Sequence, residues 1–169
     1  GQVVGYQLAE QSVRSARLLL QSGLEGPVLV YTGNVPEQLA AQMNLERGIT
    51  RSVRADRWPP ELATAMVQAL KLIREEFAAL GVNDPVMVAV DEPGYWKQGS
   101  PERLLWDVSA ARQAGWKVFD TSSYLPSDPL GQGLDYHCYG GRQMFLDLER
   151  ARQVSEATRA AGQQLWYYC

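Results

Sequence analysis

The chain has 169 residues, 46% of them hydrophobic, and a formal net charge of -3. That composition is enough for a sizeable core and excludes a disordered or collagen-like chain, and the mildly acidic balance offers no basic field for a phosphate backbone. No apolar stretch reaches the length of a membrane span and no basic-then-apolar leader opens the chain, so neither a nucleic acid nor a membrane is an expected partner.

Taken in order, the chain begins with a strand candidate at Gln2 to Gln7, built on Val3-Val4-Gly5-Tyr6. A helix is expected from Leu8 to Ser22, with Val13, Ala16, Leu19 and Leu20 on its inner face and Gly23 as its C-cap. Val28 to Tyr31 is a second strand ending in the polar tip Thr32-Gly33-Asn34, and a short helix from about Pro36 to Met43 follows. Asn44 to Trp58 is polar and irregular; its arginines Arg47, Arg51, Arg54 and Arg57 alternate with Glu46 and Asp56 as on a solvated segment. After Pro59-Pro60, the residues Leu62, Met66, Leu70, Ile73, Phe77 and Leu80 recur at helical spacing up to Gly81.

Val86 to Val90 is an apolar, β-branched run suited to a strand buried on both faces. Asp91 and Glu92 follow at once, and Pro93-Gly94 ends the strand. Binding crevices lie outside the carboxyl ends of parallel strands, so two acids there are candidates for an active rim; the plain alternative is a loop with two solvated acids. Ser100 and Pro101 then open a helix with Leu104, Leu105, Val108 and Ala111 inward, before Gly115. Trp116 to Phe119 is a strand tipped by Asp120-Thr121-Ser122-Ser123, and Leu134 to Tyr139 is another, stopping at Gly140-Gly141. A helix from about Arg142 to Ala161 carries Met144, Leu148, Ala151, Val154 and Ala157 inward, and Gln164 to Cys169 is the last strand.

Strand and helix alternate throughout, which argues for parallel β/α units joined by right-handed crossovers. With about six strand candidates, residues 1–169 read as one domain: an incomplete (β/α)8 TIM-type barrel, which needs eight strands and usually about 250 residues. An open doubly wound sheet is the competing α/β fold; the chain lacks the G-x-G-x-x-G turn that often marks it.

Parallel strands would collect Tyr31, Asn34, Asp91, Glu92, Asp120, His137, Tyr139, Trp166, Tyr167 and Tyr168 on one acidic, aromatic rim. Such a rim suits sugars, whose C–H faces pack on rings while their hydroxyls bond to acids and amides. Tyr95 and Trp96, in a glycine-containing loop, stand equally open to ligand contact and to packing; Trp116 and Tyr136 read as packing. His137, the only histidine, is either a hydrogen-bonding group for substrate or a satisfied histidine in the barrel mouth. Cys138 and Cys169 read as buried thiols, with a disulfide or, weakly, a metal site with His137 as alternatives. No metal cage or phosphate loop can be assembled, so no cofactor is expected, and acid chemistry remains.

Val-Asp-Glu-Pro at 90–93, the polar strand ends and Leu-Trp-Tyr-Tyr-Cys at 165–169 together resemble the catalytic barrel of glycoside hydrolase family 123 and its uncharacterised relatives. The resemblance runs from about Pro85 to Cys169. In that family, as in the similar family 20 hexosaminidases, a consecutive Asp-Glu pair follows strand four. The resemblance implies Glu92 as general acid/base and Asp91 as the residue that orients a substrate 2-acetamido group, with Trp166 and Tyr167 in the sugar pocket. It implies an N-acetylhexosaminidase and leans towards an extracellular or periplasmic setting; the oligomeric state is left open. A barrel that binds carbohydrate without cleaving it, or a glycosidase with a separate carboxylate nucleophile beyond Cys169, is the alternative.

Overall fold

The computed structural model describes residues 10–23, 26–46, 48–89, 101–121, 124–140 and 148–168. In chain order these form α1 (Glu10–Gln21), β1 (Leu29–Tyr31), α2 (Val35–Gln42), α3 (Ile49–Ser52), a 3-10 turn (Ala55–Arg57), α4 (Pro60–Ala79), β2 (Val86–Val88), α5 (Pro101–Gln113), β3 (Lys117–Asp120), β4 (Tyr136–Gly140), α6 (Leu148–Ala160) and β5 (Gln164–Tyr168). The strand candidate at Gln2 to Gln7 lies outside the described residues.

The fold is α/β, with one five-stranded sheet in the order β1-β2-β3-β4-β5. Every pair is parallel, with Val30 opposite Met87, Met87 opposite Val118, Asp120 opposite His137 and Cys138 opposite Trp166. The order never reverses among the described strands, so they contain no point where helices would switch from one face to the other.

Side chains alternate along each strand, so register partners share a face. Val28, Val30, Met87, Ala89 and Val118 belong to the main core together with residues of α2, α4 and α5. Leu165 packs with Val154 of α6 on the same side of the sheet. The opposite face carries a second cluster of strand residues alone, made of Val86, Phe119, Tyr136 and Cys138 with Val88 and Trp166 against them. Helices therefore cover one face, and the described residues place no helix on the other.

The strongest periodicity in the sequence produces the central packing helix. Leu62, Met66, Leu70, Ile73 and Phe77 of α4 are all buried. Trp116 is buried just before β3, and its indole N–H donates to the Leu70 carbonyl at 2.9 Å, satisfying the polar tip of a large apolar side chain. Tyr136 is buried as well, as its reading as packing requires. Before β4, Asp135 accepts the Val118 N–H at 2.8 Å and meets Arg112, whose guanidinium also donates to the Gly133 carbonyl.

Several expectations are corrected. Leu19 and Leu20 of α1 are exposed, and Ala16 alone among the residues of that helix is buried. Leu105 of α5 is exposed because the buried stripe runs through Arg103, Leu104, Asp107, Ala110 and Ala111, rotated towards a buried ion pair. Leu148, at the first position of α6, is 78% exposed, while Val154 a turn and a half later is fully buried. The irregular stretch before Pro59 contains α3 and the 3-10 turn, which bring Trp58 into the core.

Candidate functional site

The strands being parallel, their carboxyl ends lie along one edge of the sheet, and the polar strand tips gather there. The first tip is built from β1. Tyr31 closes the strand on the bare face and is 58% exposed. Thr32 turns to the helix side, where its hydroxyl donates to the Val88 carbonyl at 3.4 Å and ties the tip to β2. The Val35 N–H donates to the Thr32 carbonyl at 3.0 Å, closing a tight turn around Gly33 and exposed Asn34. A methyl group at Gly33 would meet the phenol ring of Tyr31, which would have to swing aside.

That turn is gripped from α5. Arg103 Nη2 donates to the Gly33 carbonyl at 3.2 Å, while Arg103 Nε donates to both oxygens of Asp107 at 3.0 and 2.9 Å. The pair is buried, with Arg103 6% and Asp107 1% exposed. The guanidinium carbon lies 5.0 Å from the ring centre of Trp58 and 5.9 Å from that of Trp106, and those two rings meet edge to face at 4.8 Å. Trp58 is held in turn by its N–H bond to the Val53 carbonyl at 2.9 Å. Burial pushes the Asp107 carboxyl above its ordinary range, with the charge and hydrogen bonds of Arg103 pulling the other way. Sequence reasoning missed this cluster because it treats charged residues as exposed. The Arg-x-x-x-Asp spacing, which puts both side chains on one helix face beside a tryptophan, was the available signal.

Asp120, at the tip of β3, is the register partner of His137, the second residue of β4, on the helix-covered face, and both are wholly buried. The Asp120 charge reaches two neighbours. Burial first and then Asp120 raise the Tyr124 phenol, and the same two causes, in the same order, raise the Cys138 thiol. Cys138 is a free, buried cysteine on the bare face, as a buried thiol should be.

Trp166 is half-buried and belongs to the bare face, where its ring packs edge-on against Phe119 at 5.5 Å and Tyr136 at 5.6 Å. Tyr139 and Tyr167 are register partners in the β4–β5 ladder. The sequence candidates thus fall into two groups. Tyr31 and Trp166 share the bare face near opposite edges of the sheet, whereas Asp120 and His137 sit together beneath the helices. Asp91, Glu92, Tyr95 and Trp96 lie outside the described residues, as does Cys169.

Among the described residues, no group of three or more His, Cys, Asp or Glu side chains could hold a metal ion. Among them, too, no helix is long and apolar enough to cross a membrane. Set against models of known families, against characterised proteins and against solved structures, the chain matches none.

Proposed function

We propose that the chain forms part of a (β/α)8-type barrel whose protein hydrolyses a β-linked N-acetylhexosaminide by a substrate-assisted, retaining mechanism. The observation that carries the proposal is the unbroken parallel order β1 to β5 with helices on a single face. A barrel wall has this arrangement, and enzymes built on it keep their chemistry at the carboxyl ends of the strands. Asp91 and Glu92 follow β2 by three and four residues in sequence, at its carboxyl-terminal side.

Adjacency of the two acids favours substrate assistance. A double-displacement glycosidase needs two carboxyls roughly 5 Å apart on opposite sides of the anomeric carbon, and neighbouring residues cannot easily straddle a sugar. They can act from one rim if the substrate's acetamido oxygen attacks the anomeric carbon. Asp91 then accepts the acetamido N–H and steadies the developing oxazolinium charge, while Glu92 protonates the leaving oxygen. Water later opens the oxazolinium with Glu92 as base, so the sugar leaves with its configuration retained. An ionised Asp91 disfavours ionising its neighbour, which keeps Glu92 in the acid form it needs.

The test compares an aryl N-acetyl-β-hexosaminide with the matching 2-hydroxy glycoside. Cleavage of the first and not the second is the expected result. Equal rates would end the substrate-assisted reading.

A further inference from the structure

The turn after β1 combines two features that general stability does not require. Its aromatic residue, Tyr31, lies largely in solvent with its ring folded over Gly33, and the carbonyl of that glycine accepts a hydrogen bond from a buried arginine of α5, 70 residues away in sequence. A buried guanidinium is costly to desolvate, and an apolar side chain would fill the space beside Trp58 and Trp106 at lower cost. What an apolar side chain could not do is reach across to a backbone oxygen at the rim.

We propose that Arg103 is a positioning residue: through the Gly33 carbonyl it fixes the turn Tyr31 to Asn34, and so the Tyr31 ring, as a platform for ligand at the carboxyl-terminal edge of the sheet. The planar fork of arginine suits the task. Nε engages Asp107, Nη2 is directed at Gly33, and the guanidinium carbon lies over the rings of Trp58 and Trp106. A lysine offers a single ammonium that cannot span both partners in that geometry. Gly33 completes the arrangement by leaving room for the ring above it. That the ligand is a sugar rests on the proposed reaction; the coupling of Arg103 to the turn does not.

Amide hydrogen exchange in the full-length protein tests the coupling. The Val35 N–H closes the turn through the Thr32 carbonyl, and the Val86 N–H, bonded to the Val28 carbonyl inside the sheet, is the reference. Replacing Arg103→Met together with Asp107→Leu removes both buried charges at once, so neither is left unpaired. Val35 exchange should then accelerate by about tenfold or more relative to Val86, the effect of losing a hydrogen bond from a charged donor. Should the double variant fail to fold, Arg103→Lys keeps a cation beside Asp107 and should show the same selective acceleration. Unchanged Val35 exchange, or equal acceleration of Val35 and Val86, overturns the proposal.

A kinetic arm examines the platform itself. Gly33→Ala displaces the Tyr31 ring while leaving Arg103 in place. On an aryl N-acetyl-β-hexosaminide, both Gly33→Ala and the Arg103 variants should raise KM with kcat retained, and unchanged KM in both would remove Tyr31 from the site. If the wild-type protein cleaves no such substrate, the proposed reaction fails, and the exchange comparison still decides whether Arg103 holds the turn.

Discussion

Asp120 and His137 stand opposite each other across the β3–β4 ladder, on the face the helices cover, and neither exposes any surface. Polar side chains buried this completely are costly to leave without partners and rigidify the elements they join. Asp120→Ala or His137→Ala should therefore lower stability by about 1–3 kcal/mol each, read from urea unfolding. Unaltered unfolding midpoints with weakened sugar binding would instead make them substrate contacts reached through an opening of the helix layer.

The Asp107 carboxyl gives a pH dependence whose sign can be worked out. Its folded-state pKa is raised by burial, so the folded protein binds the proton more tightly than the unfolded chain does. The contribution of this group to stability is greatest below the ordinary carboxylate range and declines as pH rises through the folded value. Subtracting the stability of the Arg103→Met, Asp107→Leu variant from that of the wild type should leave a difference that falls with rising pH over that window. A difference that grows with pH would mean that the attraction of Arg103 outweighs burial.

Cys138 should behave as an inert thiol. It is 4% exposed, and both burial and the Asp120 charge hold its proton in place, which suppresses the thiolate that alkylating agents require. Iodoacetamide labelling near neutral pH, followed by peptide mass mapping, should be more than about tenfold slower for Cys138 in the native protein than in urea. Equal rates would place the thiol in solvent.

What the sequence conveyed follows from where the chemistry of a residue agrees with its surroundings. The run at Val86 and the apolar repeat of α4 read correctly because their burial is carried by apolar side chains, which periodicity detects. Polar tips following apolar runs located Tyr31 and Asp120 at the last residues of their strands, whereas His137 is the second residue of β4 and Trp166 the middle residue of β5. The face on which each would lie was less legible, because it depends on register between strands that are distant in sequence. Asp120 and His137 went to the helix side by a single step of alternation. Arg103 and Asp107 were illegible for another reason: they satisfy each other in a buried site, so their polarity gives the opposite of their environment.

The chemical reading makes its sharpest prediction at the two adjacent acids. General acid catalysis is typically worth about 10²–10⁴-fold, and its value depends on how much help the leaving group needs. Glu92→Gln should therefore abolish most turnover of a natural N-acetylhexosaminide, whose leaving sugar must be protonated. It should slow a highly activated aryl glycoside much less. Asp91→Asn should slow both substrates together, because attack by the acetamido oxygen comes first whatever group departs. A thiazoline that mimics the oxazolinium should inhibit competitively and bind more tightly than substrate, as mimics of unstable intermediates do. Parallel losses in the two variants on both leaving groups would contradict this division of roles, and azide rescue of either with inverted product would point to a carboxylate nucleophile in place of the acetamido group.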